Sequence, residues 1–173
     1  MKIINKQKRS LVLYDEINDT FIKYFYPKIS SRIKYFFRFR KYPGENYAFI
    51  SKALNSLGIN TVEILSFDKY SVITKNLNAP TLENYISTHK NSTDIINLYV
   101  NTITILLKNN IYCGDFSYDN FLIKDNKLFA IDLEDYRKVT FFKRDTKEAI
   151  RRLSGKADKE IIEQIKKNLN ILD

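Results

Sequence analysis

The order of element types along the chain predicts an α+β fold in which a small sheet lobe precedes a reduced, mainly helical lobe. Three observations carry this: β-branched and aromatic strand text comes first, helical periodicity takes over later, and one acidic hairpin lies between them. At 173 residues the chain buries one sizeable core, so a single domain is expected, with an N-lobe at about 1–77 and a C-lobe at about 78–173.

The first element is a hairpin. An apolar run at Ser10 to Tyr14 leads into a polar turn through Asp15, Asn18 and Asp19, and "TFIKYF" returns as the second strand with Lys23 inside it. From Lys28 to Tyr42 the text becomes "KISSRIKYFFRFRKY", basic and aromatic with no acid. After Pro43-Gly44 a helical pattern runs through Tyr47, Ile50, Leu54 and Leu57 to a stop at Gly58, with Glu45 in the first turn. "TVEILSFDKYSVITKNL" supplies two short strands around Asp68-Lys69, and "APTLENYI" starts a helix behind Pro80. A longer helix follows, capped by Ser92 or Thr93, apolar at Ile96, Leu98, Val100, Ile103, Leu106 and Leu107, and ending near Asn109-Asn110. Next come a loop, the strand "NFLI", a turn at Asp125-Asn126 and the strand "LFAID". Amphipathic helices at roughly Asp145 to Leu153 and Asp158 to Leu169 close the chain.

A formal net charge of +9 implies an anionic partner: nucleic acid, acidic lipid, nucleotide phosphates or a phosphorylated glycan. Charge alone does not choose among these. The single cysteine, Cys113, excludes a disulfide within the chain and a thiolate zinc site, and fits a reducing compartment. The N-terminal text has no apolar leader core, and no apolar stretch approaches the roughly 18 residues of a membrane span, so a cytoplasmic protein is expected.

Against that basic background, "YCGDFSYDNFLIKDNKLFAIDLEDY" concentrates acids. Asp115 and Asn120 stand in the spacing D-x-x-x-x-N, and Asp132 ends the next strand. A hairpin brings Asn120 and Asp132 together at its open end, making an oxygen-rich pocket of the kind hard divalent cations take. Asp115 on the preceding loop is placed to orient and deprotonate a hydroxyl. The plain alternative is that Asp115 and Asn120 are only turn formers. Asp119, Glu134 and Asp135 read as surface or supporting groups, Cys113 as a small buried side chain, and His89 carries no role.

This stretch resembles the catalytic core of the protein-kinase-like superfamily. "CGDFSYDN" is similar to the loop H-[RG]-D-x-x-x-x-N, with Cys113 in the histidine position, and "IDLED" is similar to the D-F-G stretch. The resemblance implies a two-lobed protein-kinase-like fold that uses ATP and Mg2+. It makes Asp115 the catalytic base, Asn120 a second metal ligand and Asp132 the main magnesium ligand. It also makes Lys23 the strand lysine that grips the nucleotide phosphates and Glu45 its helix partner. A closer resemblance, from about Thr20 to Leu153, is to the bacterial lipopolysaccharide core heptose kinase and Kdo kinase group. Its features here are the lysine strand, the basic run, the Glu-led helix ending "LNSLGINTVEIL", the G-D-x-x-x-x-N-F loop, and an I-D-L strand followed by Arg137 and Lys138. That group phosphorylates a sugar hydroxyl of a lipid-anchored saccharide at the inner face of the cytoplasmic membrane.

The chain departs from the pattern in three places. No G-x-G-x-x-G loop is present, so only "NKQKRS" is left to cover the phosphates. Glu134 is the third residue of the D-F-G equivalent, and Cys113 replaces the loop histidine. The short C-lobe excludes peptide-binding helices, which favours a small-molecule or glycan acceptor.

The expectation is therefore an ATP- and magnesium-dependent kinase acting on a heptose or Kdo, with an anionic glycan or glycolipid as partner. The alternative is a kinase-like binding module without turnover, and a basic nucleic-acid-binding domain is a third, less favoured reading. The segment 28–42 either lies on an anionic membrane or binds phosphorylated glycan, or is a helix with its aromatics in the core. The resemblance favours membrane-proximal substrate binding.

Overall fold

The computed structural model describes residues 1–89, 91–139, 146–153 and 158–171. The N-terminal part holds β1 (Lys2–Lys6), β2 (Ser10–Asp15), β3 (Thr20–Phe25), α1 (Ile29–Phe36), α2 (Pro43–Asn55), β4 (Asn60–Thr61), β5 (Ile64–Asp68) and β6 (Ser71–Lys75). Five of these strands make an antiparallel sheet in the order β1-β2-β3-β6-β5. The hairpin expected at Ser10 is present, and a strand that sequence reading leaves out, β1, adds to its edge. Every residue of β1 is exposed, so it lacks the alternation that betrays a half-buried strand.

β3 is central, with Lys23 opposite Val12 on one side and Val72 on the other. Alternation puts Lys23 on the same face as Phe25, and that face also carries the buried Val72 of the core. A lysine on a core-facing surface has to find partners, because burying an unpaired ammonium is costly.

α2 lies against this sheet with Tyr47, Ile50 and Leu54 in the core. Its start fits closely: a Cβ on Gly44 would collide with the carbonyl oxygens of Asp68 and Ser71, so the β5–β6 turn and the helix approach each other only because this position is glycine. Gly58 ends the segment in the left-handed region at φ 76°, as its place after the periodic run predicts.

The second part holds α3 (Leu82–Thr88), α4 (Thr93–Lys108), β7 (Ile111–Tyr112), β8 (Phe121–Lys124), β9 (Lys127–Ala130), β10 (Arg137–Lys138), α5 (Thr146–Leu153) and α6 (Lys159–Asn168). Thr81 caps α3 by accepting from the Asn84 amide at 3.2 Å. α4 supplies the longest buried stripe, including Tyr99, Ile103 and Leu106, none of which is exposed to solvent. Asp125 and Asn126 are both left-handed, at φ 50° and 55°, which is the two-residue turn that lets β8 and β9 pair tightly. The start of the first closing helix was expected at Asp145, which lies outside the described residues.

Two short ladders lock the hairpin in place. β4 pairs with β9 in parallel, and β7 pairs with β10 antiparallel, with Arg137 opposite Tyr112. One hydrophobic cluster runs from Phe25 and Tyr47 through Tyr99 and Phe121 to Ile165, so the sheet and the helices share a core. Among the described residues no helix is long and apolar enough to cross a membrane.

Candidate functional site

The site grows out of the β8–β9 hairpin. Its register pairs Phe121 with Ala130, and the Ile131 amide donates to the Asn120 carbonyl at 3.0 Å. Asn120 and Asp132 therefore stand at the same open end, as the strand lengths predict. Asp132 then takes a left-handed backbone, φ 57° and ψ 43°, which turns the chain into a one-turn 3-10 helix at Leu133–Asp135. A non-glycine residue in this conformation is uncommon and marks a position that its surroundings hold.

The loop before the hairpin is bound to itself. The Asp115 carboxylate accepts from the Ser117 amide at 2.9 Å. The Asp115 carbonyl accepts from the Asn120 side-chain amide at 3.0 Å and from the Cys113 thiol at 3.2 Å. Asn120 thus spends its NH2 on fixing the Asp115 loop, and its amide oxygen is not used in that bond. The buried Tyr99 hydroxyl donates to the Phe116 carbonyl at 2.5 Å, which pins the same loop to α4. Burial pushes the Cys113 thiol up to about 12, so this side chain is a thiol rather than a thiolate nucleophile.

Lys23 reaches across from β3. Its ammonium lies 2.8 Å from Asp132 and 2.7 Å from Glu134. The Lys23 and Glu134 side chains are only 12% and 15% exposed, whereas Asp132 is 50% exposed and remains accessible to a ligand. Burial alone would lower the Lys23 pKa; the Glu134 and Asp132 carboxylates more than offset it, and the net direction is up. Burial raises Glu134 to about 7, with the Lys23 charge pulling it back only in part and the Asp132 charge adding to the rise.

Glu45 is not brought to Lys23. It sits in the first turn of α2 and lines a different cleft, of about 630 Å3, with Arg38, Lys41 and Lys69. The residue that follows it, Asn46, turns inward instead: its buried amide donates to the carbonyls of Leu133, Glu134 and Tyr136 at 3.3, 3.1 and 3.0 Å. α2 therefore grips the segment after Asp132 through Asn46, and Glu134 occupies the partner position expected of Glu45. Glu134, read from the sequence as a surface or supporting group, is the buried counter-ion of the site. The signal for it was its spacing from Asp132, but the left-handed turn that brings both carboxylates to one amine leaves no mark in the sequence.

A cleft of about 430 Å3 opens on this cluster, lined by Lys23, Asp132 and Glu134 and roofed by Asn5, Gln7 and Arg9 of the β1–β2 hairpin. Asp115 and Asn120 lie outside its lining and are tied to Asp132 through the hairpin. The donor types fit a hard cation: Asn120 offers an amide oxygen and Asp132 a half-exposed carboxylate. Among the described residues no group of three or more His, Cys, Asp or Glu side chains is arranged to hold a metal, so such a cation would depend on its substrate for ligands.

Comparison with known proteins agrees with this architecture. No family model matches the sequence, and no curated protein matches it. Solved structures do. One titled as WaaP in complex with acyl carrier protein matches with a TM-score of 0.67 at 10% identity, covering 99% of this chain and 79% of that one. The Rio2 kinase of Chaetomium thermophilum, in an ADP/Mg2+-phosphoaspartate complex, matches at 0.61 and 15% identity, over 96% of this chain and 55% of that one. The streptomycin-ATP ternary complex of APH(2")-IIa matches at 0.61 and 13% identity, over 98% of this chain and 78% of that one. The chain has the protein-kinase-like fold, with its antiparallel sheet first and its helices later.

Proposed function

We propose that this chain is an ATP- and magnesium-dependent phosphotransferase acting on a sugar hydroxyl, with a heptose or Kdo of the lipopolysaccharide core as acceptor. The observation that carries the reading is the meeting of Lys23 with Asp132 at 2.8 Å, at the open end of the hairpin that also positions Asn120 and the Asp115 loop. In this reading a cationic grip at Lys23, oxygen ligands from Asn120 and Asp132 and the Asp115 carboxylate serve one transfer, and phosphoryl transfer needs little more than such positioning and charge.

In this reading Asp115 accepts the proton of the acceptor hydroxyl. The freed oxygen bonds to the γ-phosphorus, the bond from that phosphorus to the β,γ-bridging oxygen breaks, and ADP leaves. Asn120 and Asp132 are the residues that would hold magnesium, whose chemistry here is to neutralise charge on the phosphates. Lys23 holds the phosphates and Glu134 holds Lys23. The choice of acceptor rests on the resemblance of the catalytic loop to the core sugar kinases and on the structural likeness to WaaP.

Access to a lipid-anchored acceptor is assigned to the segment 28–42. Only Tyr35 of α1 is buried, while Phe36, Phe37 and Phe39 are 75%, 61% and 79% exposed among arginines and lysines. Exposed aromatics of this kind with cations beside them suit an anionic bilayer surface.

The test is ATP turnover in the presence of magnesium, with and without a lipopolysaccharide-core acceptor, for the wild type and Asp115→Ala. Turnover that needs the acceptor and vanishes in the variant is expected. ATP binding without turnover in any condition would replace this reading with that of a kinase-like binding module.

A further inference from the structure

The cleft that holds Lys23 carries more positive charge than its carboxylates neutralise. Arg9, Lys28, Arg40 and Arg137 line it as well. Lys23 takes both Asp132 and Glu134, and none of the other four forms an ion pair among the described residues.

Arg137 is held the way a receptor group is held. Its Nη1 donates to the Tyr136 carbonyl at 2.6 Å and to the Glu134 carbonyl, which fixes the guanidinium while other donors of the fork remain for a further acceptor. β10 anchors its backbone, with Arg137 opposite Tyr112. Burial, and then the charge of Arg40, hold its pKa below the ordinary value, with Asp135 offsetting only part of this. Arg40 is delivered by the segment after α1: Arg38 turns the chain in a left-handed conformation, φ 55°, and the Arg40 amide returns to the Lys34 carbonyl at 3.3 Å. Two guanidiniums facing one cleft repel, and an oxyanion between them removes the repulsion.

We propose that Arg40 and Arg137 form a phosphoryl-oxyanion subsite beside Lys23, taking a phosphate of either the nucleotide or the acceptor. The proposal rests on the phosphotransferase reading for the class of ligand. It also accounts for the missing glycine-rich loop. The β1–β2 hairpin that lines the cleft contains no glycine, and the phosphate charge is met instead by cations.

The experiment is calorimetric titration of the full chain with ATP, adenosine, pyrophosphate and a hexose monophosphate. The variants are Arg40→Ala, at an exposed position, and Arg137→Lys, which keeps the charge and loses the fork. Circular dichroism melts check that both are folded. Loss of about ten- to a hundredfold in affinity for ATP and pyrophosphate, with adenosine unchanged, supports the subsite and assigns it to the nucleotide. The same loss confined to the hexose monophosphate supports it and assigns it to the acceptor. Equal affinities in wild type and variants overturn it, as does a wild type that binds none of the phosphates. If pyrophosphate binds in an Arg40-dependent way but no magnesium-dependent turnover exists, the subsite stands and the phosphotransferase reading falls. If turnover exists and both variants match the wild type, the subsite alone falls.

Discussion

An oxyanion approaching Lys23 meets an amine already held at 2.8 and 2.7 Å by Asp132 and Glu134, so the two carboxylates decide how the lysine is presented. Asp132 is half-exposed and is the one a cation can recruit; Glu134 is buried and stays. Glu134→Gln is therefore expected to raise the KM for ATP by about tenfold, through loss of a charge-assisted contact that orients Lys23. Glu45→Gln, which touches neither group, should change it by less than about twofold, within the range of an ordinary surface substitution. Steady-state kinetics with ATP as the varied substrate separates the two, and the reverse order of effects would mean that α2 swings Glu45 onto Lys23 during turnover. That Asn120 and Asp132 stand at one end of the hairpin was legible in the sequence, because a two-residue turn fixes which ends of the strands meet. Glu134 was not, since its position depends on the backbone turn at Asp132, and a single left-handed residue has no composition signal beyond aspartate itself.

Elements differ in how much of themselves they wrote into the text. The β8–β9 hairpin was readable from Asp125-Asn126, and α2 from its apolar spacing and Gly58. β1 was hidden because it is exposed along its whole length, and the β7–β10 ladder because two residues make no pattern. α1 shows a further limit: periodicity announces a helix, but which aromatics go inside depends on what packs there, and only Tyr35 does. The β2–β3 hairpin is closed by Asp19, in a left-handed conformation, which accepts from the Tyr14 hydroxyl at 2.6 Å and from the Asn76 amide at 2.8 Å. The Tyr14 bond first, and then the Asn76 bond, hold the Asp19 carboxyl below its usual pKa. A carboxyl lowered in the folded state binds protons more readily when unfolded, so its stabilisation is complete above the unfolded pKa and is lost as pH falls through the folded one. Thermal melts between about pH 5 and pH 3 should accordingly show a steeper loss of stability for the wild type than for Asp19→Asn. Parallel curves would mean that this network contributes nothing specific to the charged form.

On the scale of the whole molecule, the sheet and the helices share one core, and the positive charge gathers where they meet. The same basic character extends onto α1 and the segment after it, where the phenylalanines face solvent. Sedimentation with vesicles containing anionic lipid should carry the wild type down, less so as salt is raised, and should fail when Phe36, Phe37 and Phe39 are replaced by serine. Binding that survives those replacements would transfer the role to charge alone. The fold class was readable at this scale from the order of strands and helices, whereas the cleft was not, because it is built from residues far apart in the chain. If the Lys23–Asp132 cluster is a phosphate and metal centre, as proposed, magnesium and ATP bind there together. The deciding experiment is ATP binding with and without magnesium, in the wild type and in Asp132→Asn, which keeps the side chain's shape. Magnesium is expected to tighten binding to the wild type and not to the variant; an equal response in both, or none in the wild type, would remove the metal role from Asp132.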